Sequence, residues 1–506
     1  MTDGLGLGDA YSATIERIKT QGGDKSRLGM AALMWISHAE RPLRAGELCH
    51  ALGVEVGPRN CNADNVPSMP TLVSCCRGLI TVDKDTSAST VRLIHFTLQE
   101  YLSARPDIFD RPHSAMAEIC LTYLNSEPIK ALSADPFPDI PGAPLLEYCS
   151  LYWGAHAKRE LSHYGRSLAL ELFQEYDGPG HISTELLLDE EGILEFWDCG
   201  TGFPFSGLHC ASFFGIVGVV AALIEMEWYD ANQGDSLGYT PLSWAARNGH
   251  EEVVRMLLGR EEVNPDKPDD CGLTPLSYAA QGGHEGVVKM LLGREEVSPD
   301  KPDHGGQTPL SHAAQGGHEG VVKILLGREE VSPDKPDDGG TTPLSHAAAG
   351  GHEAVVKMLL GREEVNPDKL AVSGRTPLSN AASGGHGEIV KILLRREEVN
   401  PEKPDSDGRT PFSYAGQYGS EEVIKILLRR GEVKPDKPDN LGRTALSYAA
   451  EFGREGTVKI LLGLKEVNPN RPDNNGRTPL MRAAMWGHRR VVALLRPHKT
   501  VTQSAI

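Results

Sequence analysis

From residue 206 onward the apolar positions form a figure that returns every 34 residues. In the copy that starts at Thr274, an inward face of Leu276, Ala279 and Ala280 is followed by Val287, Val288, Leu291 and Leu292, spaced as the buried stripe of a helix. Thr274 supplies an N-cap hydroxyl, and Pro275 fills the first helical position, where no N–H is needed. Gly283 is placed to end this short first helix in the left-handed conformation. A second helix is predicted from about His284 and Glu285, closed by Gly293. The polar stretch 297–303, Val-Ser-Pro-Asp-Lys-Pro-Asp, then projects as a finger and leads through Gly306 to Thr308. Thr240, Thr274, Thr308, Thr342, Thr376, Thr410, Thr444 and Thr478 mark the period, with Ala445 replacing the proline once. So strict a period means one helix-turn-helix unit stacked on itself, with no enclosed core.

The Thr-Pro-Leu-x-x-Ala-Ala and Gly-His-x-x-Val-Val-Lys-x-Leu-Leu phrases resemble the ankyrin repeat, over residues 206–497. A degenerate first copy at Ser206 keeps phase through Leu208, His209, Cys210, Ala211 and Gly215, which gives nine units. Serine stands where the family has histidine in nearly every unit (Ser243, Ser277, Ser311, Ser345, Ser379, Ser413, Ser447), so the hydrogen bonding between turns must differ. The fingers are two residues longer than the family norm and carry two prolines, which cannot donate to a ladder, so they should be less sheet-like.

Ahead of the array the pattern changes. Helical runs at 26–38, 43–52 and 69–79 precede two alternating stretches, 80–82 and 91–94, around a polar turn at 83–89, the order of a winged helix. Further amphipathic helices are expected at 145–159, 167–176 and 184–197. His95-Phe96-Thr97-Leu98-Gln99-Glu100-Tyr101, together with Trp35-Ile36-Ser37, Arg41-Pro42-Leu43 and Ser74-Cys75-Cys76-Arg77-Gly78-Leu79, resembles the winged-helix region that follows the NACHT NTPase in fungal NACHT–ankyrin proteins, over about residues 9–130. The resemblance implies a nucleotide-phosphate contact at His95. No G-x-x-x-x-G-K-[ST] occurs in the sequence, however, and the residues themselves make His95 a wing-base side chain bonded locally. The expected organisation is mostly α: a winged-helix domain (1–130), a helical connector (131–205), the ankyrin-repeat α-solenoid (206–497) and a flexible tail (498–506).

The net charge of -18 and pI near 5.5 argue against a general binder of nucleic acid or anionic membrane. Only Arg77 is basic in the third helix of the winged-helix pattern, so a DNA-reading regulator ranks below the other readings. The longest apolar stretch, 215–226, is too short to span a bilayer, and residues 1–14 hold no signal-peptide run, which points to an intracellular, cytoplasmic chain. Nine cysteines without a CxxC pair, the adjacent Cys75 and Cys76 among them, give neither a disulfide framework nor a zinc motif. Histidines 250, 284, 318, 352, 386 and 488 recur with the period. Repeats about 10 Å apart cannot converge them on one ion, so they are turn residues. The Glu→Lys pairs 285/289, 319/323, 353/357, 421/425 and 455/459, and Glu251→Arg255, mark a solvated helix face. Neither G-x-S-x-G nor HExxH occurs, and no catalytic residue, metal site or cofactor is expected.

What varies between copies locates the partner surface. Eight residues after each Thr the chain reads Asn248, Gly282, Gly316, Gly350 and Gly384, then Tyr418, Phe452 and Trp486. Just before each Thr it reads Tyr239, Leu273, Gln307 and Thr341, then Arg375, Arg409, Arg443 and Arg477. Tyr414 and Tyr448 lie one turn away on the same helices. Aromatic and arginine side chains dominate interface hot spots. The expectation is a protein partner, acidic or phosphorylated, on the concave ankyrin surface, with no nucleic acid and no membrane; the alternative is that Tyr418, Phe452 and Trp486 pack between neighbouring units, and the oligomeric state stays open.

Overall fold

The computed structural model describes residues 6–57, 65–83, 89–132, 143–174, 205–226 and 229–496. They belong to two compact units, Met1–Val263 and Asn264–Ile506.

In the first unit, helices α1 (Leu7–Lys19) and α2 (Asp24–His38) lead through strand β1 (Leu43–Arg44) to α3 (Ala45–Gly53) and α4 (Met69–Cys75). Strands β2 (Ile80–Asp83) and β3 (Thr90–Leu93) follow, then α5 (Phe96–Ser103). The sheet is antiparallel in the order β1-β3-β2, with Leu43 opposite Val91 and Ile80 opposite Leu93. Two predicted helices are thereby corrected. The run at 43–52 turns helical only at Ala45, because the Glu47 carboxylate accepts from the Arg44 N–H at 2.7 Å and fixes the helix start there, leaving Leu43 and Arg44 to pair with β3. The run at 69–79 stops at Cys75, since Arg77 (φ 50°) and Gly78 (φ 82°) turn left-handed and feed β2.

Helices α6 (Pro112–Leu124), α7 (Glu127–Lys130), α8 (Leu146–Arg159) and α9 (His163–Gln174) come next; the expected helix at 184–197 and the tail at 498–506 lie outside the described residues. Trp35, Leu121, Tyr148, Trp153 and Phe173 fill the core of this unit. The fully buried carboxylate of Glu47 is held by both Arg41 nitrogens at 2.8 and 2.9 Å, and Arg41 reaches on to Glu147 of α8 at 2.9 Å. Burial of that charge is tolerated because it is paired bidentately. The helix pairs Gly207–Phe214/Val217–Ile224 and Pro241–Arg247/Glu251–Leu258 complete the unit, and α8 and α9 cover the first pair. Trp153 packs between Phe173 and Phe214, with ring centroids 5.8 and 5.4 Å away. Gly154 permits this approach: a Cβ there would lie 2.1 Å from the Phe214 ring.

The described residues of the second unit form seven helix pairs. Their first helices run from Pro275–Gly282 to Pro479–Met485, and their second helices from Glu285–Leu291 to Arg489–Leu495. Each opening Thr caps its helix, as Thr308 Oγ1 does by accepting from Ser311 N at 3.2 Å. Val321, Val322 and Leu325 of a typical second helix are fully buried, each contributing roughly 1.5–3 kcal/mol of apolar burial. Among the described residues the fingers contain no strand, and one backbone hydrogen bond crosses each junction, such as Asp338 N to Gly305 O at 2.9 Å. Side chains do the remaining joining. Lys335 Nζ donates to the main-chain carbonyl and the carboxylate of Asp300 in the preceding finger, and Lys301, Lys369, Lys403, Lys437 and Arg471 repeat the contact on Asp266, Asp334, Asp368, Glu402 and Asp436.

Candidate recognition surface of the repeats

Five residues before each Thr stands an aspartate that sequence reasoning did not single out: Asp269, Asp303, Asp337, Asp405, Asp439 and Asp473 in the second unit. One carboxylate oxygen caps the finger turn; that of Asp439 accepts from Leu441 N at 2.9 Å and Arg443 N at 2.8 Å. The other accepts from the side chain four residues after the Thr. The donors are Tyr278, His312 (2.9 Å), His346 (3.1 Å), Tyr414 (2.6 Å), Tyr448 (2.6 Å) and Arg482 (3.0 Å from Nε). The one unit without the carboxylate, at Ala371, has Asn380 at the donor position. The recurring Asp nine residues before a ring donor is the signal that could have revealed this coupling.

The arrangement explains where the predicted partner residues lie. Tyr414 and Tyr448 are only 6% and 2% exposed, because each ring must bury to bring its hydroxyl to the aspartate. Their reading as contact residues is corrected: they are platforms. Burial, ahead of the bond to Asp405, pushes the Tyr414 phenol up to about 12, so it keeps the proton it donates. The arginines stack on these rings. The Arg375 guanidinium lies 4.4 Å from the Tyr414 centroid, Arg409 5.1 Å from Tyr448, and Arg443 4.6 Å from Tyr448, where it also meets the Asp439 carboxylate at 3.2 Å. Such stacking fixes a guanidinium plane while leaving its edge donors to a second partner. Nε of Arg375 and of Arg409 is buried without a hydrogen-bond partner, so only the terminal nitrogens of these groups can face a second partner. Arg477 is exposed.

At the other end of the first helices Tyr418, Phe452 and Trp486 are 48%, 43% and 62% exposed, and Met481 and Met485 are exposed near Trp486. At Gly316, one of the glycines of the earlier copies, a Cβ would fall 2.4 Å from the imidazole of His318, which is turned to reach Gln281 O in the preceding repeat at 2.8 Å. In the copies with Tyr418 and Phe452 that histidine is replaced by Ser420 and Arg454, whereas Asn248 and Trp486 stand beside His250 and His488, so the histidine alone does not require glycine.

The other periodic features are structural. His250, His318, His352, His386 and His488 each bond a carbonyl of the preceding repeat, and His284 is the N-cap residue of a second helix. Glu285–Lys289, Glu353–Lys357 and Glu421–Lys425 are exposed pairs at 3.6, 3.5 and 3.8 Å; Arg255 turns to Glu252 instead of Glu251. Where Ser replaces the family histidine, its hydroxyl stays on the capping Thr, as Ser311 does at 3.2 Å from Thr308 Oγ1. His209 alone reaches forward, to Gln233 O and Tyr239 O at 3.0 and 3.1 Å.

In the first unit His95 is the N-cap residue of α5, with Nδ1 accepting from Thr97 N at 3.3 Å and 2.9 Å from its hydroxyl. It lines a cleft of about 400 Å³ with Arg41, Arg92 and Gln99. Cys75 and Cys76 are buried, and burial raises the Cys76 thiol to about 12, which keeps it protonated. No described helix is long and apolar enough to cross a membrane.

A family model described as ankyrin repeats (3 copies) matches at 208–303, 295–369, 363–439 and 431–504, together more than half of the chain. A second, described as GPI inositol-deacylase, winged helix domain, matches residues 16–116. No curated protein matches. The chain belongs to the ankyrin-repeat family, and the pairing of these repeats with that winged-helix domain is consistent with a NACHT–ankyrin-type protein.

Proposed function

We propose that this chain is a non-enzymatic recognition scaffold that holds an acidic or phosphorylated protein segment against its last four repeats. Ankyrin repeats support a protein-interaction role in general. The observation that carries the specific reading is the exposure of Tyr418, Phe452 and Trp486 in successive copies. Arg409, Arg443 and Arg477 stand at the opposite ends of these three first helices, and Arg375 at that of the preceding one. Three of these guanidinium groups are pre-set on tyrosine platforms, and a pre-organised fork gains more from a carboxylate or phosphate than a free one does. The partner engages the arginine edges and the exposed rings, and Tyr414 and Tyr448 act from beneath.

Affinity capture with the full chain tests this. Replacing Tyr418, Phe452 and Trp486 together by Ala should remove the captured partner, since each hot-spot aromatic is worth more than about 1 kcal/mol, and should leave the melting temperature unchanged. Capture at the wild-type level would refute the assignment. Arg477→Glu, at an exposed site, should weaken capture in a salt-dependent way.

A second reading rests on the winged-helix match and the cleft beside His95. In it the chain is the sensor part of a fungal NLR-like receptor whose nucleotide switch is supplied by another segment or polypeptide. A P-loop encoded just upstream would favour it.

A further inference from the structure

The winged-helix unit gathers a set of ligating side chains that no sequence spacing announces. Glu40 follows α2, His113 opens α6, and His156 lies within α8. One ligand atom of each falls within 4.8 Å of those of the other two. The two imidazole nitrogens face each other at 2.9 Å, and His156 Nδ1 is 3.8 Å from the carboxylate. A divalent ion held by tetrahedral bonds of about 2.0–2.1 Å sets its ligand atoms roughly 3.3 Å apart, between these two separations.

The surroundings are those of a built site. His156 is fully buried, and its far nitrogen, Nε2, lies 2.9 Å from the Tyr148 hydroxyl, which accepts from Glu40 N at 3.2 Å. A polar partner on the second nitrogen is what orients a ligating histidine. His38 adds a third imidazole, its ring 5.4 Å from that of His113, and Trp35 packs against Tyr148 at 5.7 Å. Arg159 holds the same Glu40 carboxylate from the exposed side and is the cation that an ion would partly displace.

We propose that Glu40, His113 and His156 form a site for a single divalent transition-metal ion of the zinc class, which ties the segment after α2 to α6 and α8. Two imidazoles and one carboxylate, with the buried member anchored by Tyr148, are the donor set that zinc takes. The ion would join three elements far apart in the chain, and with three protein ligands its fourth position would be left to water. This revises the sequence-based expectation of no metal site, which considered only short motifs and the periodic histidines.

The test uses the full chain, stripped with chelator and titrated with cobalt(II) and then zinc. One equivalent of cobalt should give the visible absorption of a low-coordinate nitrogen and oxygen site, one equivalent of zinc should bleach it, and zinc should raise the melting temperature. Glu40→Gln keeps the shape of the residue and should weaken binding at least tenfold, His113→Ala should abolish the band, and Tyr148→Phe should cost about tenfold. Arg159→Gln should tighten binding, an effect that a purely hydrogen-bonded histidine pair would not show. Absence of both the band and the thermal shift in the folded wild-type chain overturns the proposal. So does a band that survives undiminished in Glu40→Gln and His113→Ala, which would place the ion elsewhere.

Discussion

The seven helix pairs of Asn264–Ile506 and the winged-helix and connector elements of the first unit are stabilised over different distances along the chain. In the array the side-chain contacts recur at the same short separations: nine residues from ring donor to aspartate, 35 from finger to finger, and 37 from turn histidine to carbonyl. In the winged-helix and connector elements single contacts span far more of the chain, 62 residues for Gln99 to Ser37 and 106 for Arg41 to Glu147. A repeat touches only its neighbours, so damage there stays local, whereas damage at a long-range contact releases several elements at once.

The sharpest way to break this contrast is in the first unit. Trp153→Ala removes the ring between Phe173 and Phe214 and should cost about 3–5 kcal/mol; hydrogen exchange should show protection lost throughout the described helices α6, α8 and α9. Loss confined to α8 would contradict the long-range picture. Next in size, Asp439→Ala strips the cap from one finger turn and leaves the buried Tyr448 hydroxyl without an acceptor, at a cost of about 2–3 kcal/mol. Exchange should quicken around 439–462 and stay unchanged around 275–326; uniform loss across the unit would show that the repeats are coupled more widely than their contacts imply. A gain is expected from Ala371→Asp, which restores the missing turn cap in the one deviating finger, worth about 0.5–1.5 kcal/mol in chemical denaturation.

The smallest effect concerns pH. Burial, outweighing the bond to Asp303, lowers the pKa of His312, with His346 adding to the shift. Below the unfolded value of about 6.5 the unfolded chain then binds more protons than the folded one. Stability should therefore fall as pH drops through that value, and His312→Tyr, which matches the donor at Tyr278, should flatten the dependence in denaturation midpoints taken between neutral and mildly acidic pH.

The array's helices, caps and left-handed glycines were legible because every copy restates the same local instruction, and the exposed file of Tyr418, Phe452 and Trp486 was legible because it departs from it. The burial of Tyr414 and Tyr448 was not: it depends on an aspartate that reaches the ring only once the finger has folded back. Strand β1 escaped notice because two residues carry no periodicity, and its identity is decided by pairing with β3, 46 to 48 positions away. Glu40, His113 and His156 share no spacing that a linear scan would flag; three separate elements bring them together.

The finger-to-finger lysine contact carries a consequence for how such a gene can change. Because the offset is constant, excising residues 308–341 as a block would set Lys369 at the distance from Asp300 that Lys335 now occupies. Unequal exchange between near-identical copies can therefore lengthen or shorten the reading surface by whole modules, each new junction arriving with its bonding partners already in place.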